Sequence, residues 1–214
     1  RVGCVIAMNN RILGKGFTQK VGSNHAEIEA LADAKRNGIP EAELEGSTVY
    51  VTLEPCSHIG RTPPCCDALE KIRPARVVIA MQDPNPRVSG QGITRLRQLG
   101  IRVELGLMKN EVMQLNPGFM KRMSKGLPYV RMKIAASLDG RTALPNGKSQ
   151  WITGSAARAD GHHWRAQACA ILTGVGTVKE DDPQLSARGV QTERQPLRVI
   201  VDSHLEIPLA AKVL

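Results

Sequence analysis

The stretch STVYVTLEPCSHIGRTPPCC, Ser47 to Cys66, holds three of the chain's five cysteines. Its first part, Ser47 to Leu53, is rich in β-branched and aromatic residues and reads as a buried strand. Pro55, Gly60, Pro63 and Pro64 then interrupt regular structure, and a helix is expected from Cys66 to Ile72. A strand that runs into one cysteine and a helix that opens at another, joined by a stiff loop, form a good place to hold a metal ion. A disulfide framework fits poorly, because Cys65 and Cys66 are neighbours and an odd count leaves one thiol over. A reducing, cytoplasmic setting is therefore expected.

Outward from this stretch, the spacing predicts two strands joined by an Asn9-Asn10 turn, VGCVIAM and RILGKGF. A helix from Ala26 to Asn37 is stopped by Gly38 and Pro40. Beyond Cys66 come a strand from Arg76 to Met81, a helix from Gln91 to Leu99, a strand from Ile101 to Leu105 and a helix from Lys109 to Met123. This alternation argues for a three-layer α/β unit with a largely parallel sheet. The polar, Gly- and Pro-punctuated SKGLP, 124 to 128, is the expected linker between a domain over 1 to 123 and a second over 129 to 214. The second series reads as strand Tyr129 to Ala136, helix Ser155 to Ala168 and strands Ala170 to Thr173 and Leu197 to Asp202. The chain opens at Arg1 without an initiator Met and closes with elements only begun, so both ends are expected to be incomplete.

With 214 residues, 42% hydrophobic and 23% charged, the chain has the composition of a globular protein with a real core. Its longest apolar runs are strand-sized, far below the ~20 residues of a membrane span. Net charge is +9, which favours an anionic partner. The six aromatic residues are scattered, which argues against a stacking platform for single-stranded nucleic acid and favours a small phosphorylated ligand. Self-association into a homo-oligomer is left open.

Zinc in a catalytic site takes three protein donors and leaves one position for water. Cys56 and Cys65 offer two. His25-Ala26-Glu27, at the start of the first predicted helix, has the His-x-Glu pattern of zinc deaminases, in which the His binds metal and the Glu shuttles protons. His25, Cys56 and Cys65 are the candidate ligands and Glu27 the candidate proton carrier. A structural zinc site with Cys66 as fourth donor, or free buried thiols, are the alternatives. Nucleoside deaminases commonly space the two cysteines by two residues; here eight intervene. That loop would leave His58 and Arg61 at the mouth of the site, with Arg61 either facing an anionic group or simply solvated. Cys4, Cys66 and Cys169 read as core residues.

HAE (25 to 27), TLEPCSHIGRTPPC (52 to 65), MQDPNP (81 to 86), SLDGRTA (137 to 143), SQWIT (149 to 153) and ILTGVGTVKEDDPQL (171 to 185) together resemble the bifunctional deaminase/reductase family of bacterial riboflavin biosynthesis. The resemblance implies a cytidine-deaminase-like domain followed by a dihydrofolate-reductase-like one. It implies zinc-dependent deamination of a diaminohydroxyphosphoribosylaminopyrimidine, then NADPH-dependent reduction of the product's ribose to a ribityl chain. A nucleic-acid base deaminase is the alternative; it leaves residues 129 to 214 unexplained. Carried over by motif, His58, Arg61, Asp83 and Asn85 line the deaminase substrate site. Ala135, Thr142, Trp151, Thr177, Asp181 and Ser203 match NADPH-contacting positions, and Ser149, Arg165, Leu185 and Arg188 match the reductase substrate site. Pattern alone would make Gly174-x-Gly176 a turn, Trp151 a core residue and Arg165 part of a solvated helix face; Arg188 has independent support, a guanidinium being suited to a ribose phosphate. Three departures stand beside the resemblance: an Asn-Pro expected ahead of Arg1, a glycine-rich cofactor stretch expected beyond Leu214, without which no reduction is expected, and a long His25 to Cys56 spacing with Glu41 to Glu45 as surface insertion.

Overall fold

The computed structural model describes residues 1–214, which form two compact units, Arg1–Val130 and Arg131–Leu214. In the first, β1 (Gly3–Met8) and β2 (Arg11–Phe17) make an antiparallel hairpin around Asn9 and Asn10. Both turn residues have positive φ, 50° and 61°, the conformation that a two-residue hairpin of matching twist requires and that Asn tolerates. After α1 (Ala26–Arg36) the chain makes a short 3-10 helix at Glu41–Leu44 and enters β3 (Thr48–Val51). Then follow α2 (Cys65–Ile72), β4 (Arg76–Ile79), α3 (Gln91–Gln98) and β5 (Arg102–Leu105).

The strand order is β2-β1-β3-β4-β5. β1 pairs antiparallel with β2 and β3, while β3, β4 and β5 run parallel, so the sheet is evenly mixed rather than largely parallel. The physical reason lies in the connections: a tight turn can only return the chain antiparallel, whereas helical crossovers deliver parallel neighbours. One core joins the sheet to α1, α2 and α3, with Ile6, Val49, Val77, Ile79, Leu69 and Leu96 fully buried.

The seating of α1 follows from small residues on both sides. Gly14 and Gly16 project to one face of β2, and Ala26, Ala30 and Ala34 recur every four residues along α1, all fully buried. A Cβ on Gly14 would stand 2.2 Å from the Ala30 carbonyl oxygen, and one on Gly16 2.4 Å from the Ala30 nitrogen. The helix backbone therefore rests directly on the strand.

The helix expected over 109 to 123 is two helices, α4 (Lys109–Leu115) and α5 (Pro117–Lys125). Pro117 has no N–H to continue α4 and instead occupies the first turn of α5, with Asn116 (φ −135°, ψ 52°) as the break.

In the second unit, α6 (Ser155–Gln167) precedes β6 (Ala170–Gly174), α7 (Val175–Asp181) and β7 (Leu197–Val201), and β6 and β7 pair in parallel. Gly174 caps α7 rather than making the turn that pattern suggested. The strand expected at Tyr129 to Ala136 does not form: these residues are irregular, and Val130, Met132 and Ile134 are exposed. Alternating apolar residues make a strand only where a neighbour accepts the ladder, and the sheet of this unit contains β6 and β7 alone. Cys169 is exposed, not in the core, because it lies ahead of β6 where the chain leaves α6. Trp151, which pattern placed in a core, is 72% exposed with the Arg158 guanidinium 4.6 Å from its ring centroid.

The β2–α1 approach makes a sharp prediction. Gly16→Ala is expected to lower unfolding stability by about 2 kcal/mol or more, since backbone rather than a flexible side chain must yield. Gly3→Ala, whose nearest neighbour would be Thr52 Cγ2 at 3.8 Å, is expected to change it by under about 0.5 kcal/mol. Urea titrations of the two variants test the contrast.

Candidate metal centre

Three elements deliver the donors. His25 is the N-cap of α1, Cys56 follows the end of β3, and Cys65 is the first residue of α2 with Pro64 as its N-cap. His25 Nδ1 lies 3.5 Å from Cys56 Sγ and 3.3 Å from Cys65 Sγ, and the three donor atoms all fall within 4.8 Å of one another. Donors bound to a tetrahedral zinc at about 2.0 and 2.3 Å stand about 3.5 Å apart, so the set fits that ion. Cys66 is turned away, its Sγ lying 3.7 Å from the Pro55 carbonyl and 3.9 Å from that of Gly92, so it is packing and not a fourth donor.

The Cys65 backbone N–H donates to Cys56 Sγ at 3.2 Å, and the Cys66 N–H donates to the Cys56 carbonyl at 3.1 Å. These contacts hold the returning end of the eight-residue loop against its starting end. Hydrogen bonding from Cys65, with help from His25, lowers the Cys56 thiol to about 5, while the same contact and burial push Cys65 up. Of the two thiols, Cys56 is therefore the one favoured as thiolate. Burial raises Cys66 to about 12 and carries Cys4 well above the ordinary thiol range.

Glu27, in the first turn of α1, is 4% exposed. Burial is the largest influence on its carboxyl and raises it above the usual range; its backbone hydrogen bond and the Cys65 thiol pull the other way. A buried carboxyl raised above its ordinary range, beside three donors, is an arrangement suited to general acid–base chemistry.

The loops after β3 and β4 leave adjacent parallel strands at their C-terminal ends, the usual position of ligand sites in such sheets. Asp83 is half-buried on the second loop, raised by burial and by the Glu54 carboxylate, with His58 and Cys56 also within electrostatic reach. Asn85 follows, its N–H donating to Asp83 Oδ1 at 2.8 Å. Arg61 is exposed on the first loop with no ion pair. Sequence reasoning missed Glu54, whose carboxylate accepts backbone N–H groups from the second loop and from α3. A groove of about 620 Å³ lined by residues including Ser57, Gly90, Thr94 and Arg95 adjoins this region, but neither Glu27 nor the three donors line it.

In the second unit, Ser149 Oγ donates to Asp181 Oδ1 at 2.9 Å across the fold. Arg165 is half-buried rather than part of a solvated helix face, donating to the Ser186 carbonyl, and Arg188 donates to Gln184 Oε1 and Ser186 Oγ. Burial lowers the Arg165 guanidinium, and the nearby Arg188 charge lowers it further. Leu185 is buried in a cluster with Val178, Ala211 and Val213 and has φ +50°. No side-chain hydrogen bond joins Ala135, Thr142, Thr177 or Ser203 to this group.

Residues 1–81 match the family described as cytidine and deoxycytidylate deaminase zinc-binding region, and residues 128–214 match the RibD C-terminal domain. The riboflavin biosynthesis protein RibD of Escherichia coli strain K12 is 51% identical over 214 residues, which cover 94% of this chain and 57% of that protein. This chain is similar to RibD along nearly its whole length. RibD of Aquifex aeolicus is 46% identical over all of this chain and 58% of its own length. Among solved structures, Acinetobacter baumannii RibD superposes with a TM-score of 0.91 at 50% identity, covering 100% of this chain and 60% of that one. The Thermotoga maritima diaminohydroxyphosphoribosylaminopyrimidine deaminase/5-amino-6-(5-phosphoribosylamino)uracil reductase gives 0.91 at 40% identity over 99% of this chain and 59% of its own. The chain thus spans under two thirds of the RibD relatives it matches. No helix is long and apolar enough to cross a membrane.

The thiols give a direct test of the pocket. After chelation, Cys56 is expected to alkylate fastest at pH 7, being the thiol held lowest, and added zinc is expected to block that reaction. Exposed Cys169 should react in either state, while Cys4 and Cys66 should stay silent until the protein unfolds. Peptide mapping of the alkylated protein reads all four; fast labelling of Cys66 in folded protein would contradict the packing described.

Proposed function

We propose that the chain acts in riboflavin biosynthesis as a zinc-dependent pyrimidine deaminase joined to an NADPH-dependent reductase unit. The observation that carries this reading is the meeting of His25 Nδ1, Cys56 Sγ and Cys65 Sγ beside buried Glu27. Three protein donors leave room for water, as a hydrolytic rather than a structural zinc requires. The substrate proposed is diaminohydroxyphosphoribosylaminopyrimidine, in line with the activity named for the Thermotoga maritima relative.

Zinc held by these donors supplies Lewis acidity that makes water nucleophilic near neutral pH. Glu27 accepts a proton from the attacking water and returns it to the leaving nitrogen. The ring carbon gains a C–O bond, its C–N bond breaks, ammonia departs and a uracil remains. The raised Glu27 carboxyl suits both halves of that transfer, because it holds a proton more readily than a solvated carboxylate. His58, Arg61, Asp83 and Asn85 are assigned to the substrate, with Arg61 suited to its phosphate.

In the second unit, Arg165 and Arg188 are assigned to the ribose phosphate of 5-amino-6-(5-phosphoribosylamino)uracil, together with Ser149 and Leu185. NADPH is assigned to Ala135, Thr142, Trp151, Thr177, Asp181 and Ser203. The Ser149–Asp181 hydrogen bond supports placing substrate and cofactor side by side there. The domain roles run over 1 to 123 and 129 to 214, with 124 to 128 between. Five free cysteines support a cytoplasmic setting, and a small phosphorylated metabolite accounts for the +9 charge without a nucleic-acid partner. Homo-oligomer formation is compatible with this reading and is not required by it.

Glu27→Gln is expected to retain zinc and to lose deamination by a factor of about 100 or more; near-full activity would sink the assignment. Arg188→Ala is expected to weaken binding of the aminouracil ribotide by about tenfold or more while leaving NADPH affinity unchanged, read by titration calorimetry.

A further inference from the structure

Glu54 is a carboxylate at 4% exposure without a cation partner. Four backbone N–H groups take that place. Oε2 accepts from Asp83 and Gly90, each at 3.0 Å, and Oε1 accepts from Gly92 at 2.9 Å and Ile93 at 3.2 Å. Gly92 and Ile93 belong to the first turn of α3, where unpaired N–H groups favour a negative charge. Gly92 also permits the approach, since a Cβ there would stand 2.0 Å from the Pro55 carbonyl oxygen. The chain segment that carries Cys56 is thereby joined through one side chain to the segment from Asp83 to Gly90. The acceptors continue outward: Asp83 Oδ1 takes the Asn85 N–H at 2.8 Å, and Asn85 Oδ1 takes the Arg87 N–H at 3.2 Å.

We propose that Glu54 is a positioning residue for the deaminase substrate, setting the Asp83–Arg87 loop at a fixed distance from the metal pocket. It acts through Asp83 and Asn85 and touches no reacting atom. This rests on the reading of Asp83 and Asn85 as substrate-site residues given above. The chemistry of the bridge needs a carboxylate, because only that group offers two acceptor oxygens and no donor. A glutamine of the same size would turn its NH2 toward one pair of backbone N–H groups, losing two of the four bonds and pushing that pair away.

The test is Glu54→Gln in the chain as described, alone and with Asn85→Ala. Zinc content is expected to be unchanged, KM for the pyrimidine ribotide to rise about tenfold or more, and kcat to move by less than about threefold. Amide hydrogen exchange is expected to quicken at Asp83, Gly90, Gly92 or Ile93. In the Asn85→Ala background, Glu54→Gln should raise KM by clearly less than it does alone, since the part of its effect carried by Asn85 is already lost. An unchanged KM, full additivity with Asn85→Ala, or parallel loss of zinc, kcat and KM each overturns the proposal, the last by showing general support of the fold. If the glutamine variant is not recovered folded, Glu54→Asp, which keeps the charge but spans only one pair of donors, is read by the same measures. Absence of deamination in the unaltered chain overturns the functional reading instead; the exchange rates then decide whether Glu54 holds the loop, and unchanged rates overturn that too.

Discussion

Helix α1 sits against β2 at a distance that only glycine allows, and the metal pocket depends on that distance. His25 and Glu27 occupy the first residues of the helix, so the depth at which Ala26, Ala30 and Ala34 settle onto Gly14 and Gly16 sets where an imidazole and a carboxyl face the two cysteines. A helix resting on larger side chains would stand several tenths of an ångström to ångströms further out, a displacement that a ligand set with fixed bond lengths does not absorb. The small residues are therefore part of the site, although none of them carries chemistry.

A second constraint acts on the opposite side of the pocket. The parallel β3–β4 pairing continues past the strand ends, with the Ala80 N–H donating to Val51 at 2.9 Å and the Glu54 N–H donating to Met81 at 3.0 Å. The segments that carry Cys56 and Asp83 thus leave the sheet in register, and the Glu54 side chain holds them together after the ladder stops. Backbone pairing, a buried carboxylate and a helix N-terminus act on the same few residues, so the loops are firm without a long stretch of regular structure.

Much of the first unit was legible in the sequence because its signals are local. The Asn9-Asn10 turn, the Gly38 and Pro40 that stop α1 and the prolines around the cysteines each report on neighbours in the chain, and the meeting of His25 with Cys56 and Cys65 could be read from the His-x-Glu pattern together with the placement of the cysteines at a strand end and a helix start. Glu54 was not legible, because its partners are backbone N–H groups, which leave no residue signature. Tyr129 to Ala136 alternates like a strand, yet alternation describes a face and says nothing of whether a neighbouring strand is present to pair with it. Asn116-Pro117 was missed for the opposite reason: the apolar period on either side is continuous, and one absent N–H outweighs it. Arg165 was misjudged on pattern since a helix face reads as solvated unless the loop that covers it, here the one with Ser186, is known.

The separation of the donors along the chain bears on how the unit assembles. The β1–β2 hairpin closes over two residues and α1 follows directly, so this part can form early from short-range contacts at small entropic cost. His25 is 31 residues from Cys56 and 40 from Cys65, and β1 must accept β3 alongside it before either cysteine arrives. Contacts of that range are the slow ones in folding. The three donors therefore meet only where β3 lies alongside β1, and a cation held by all of them ties together segments that are distant in the chain.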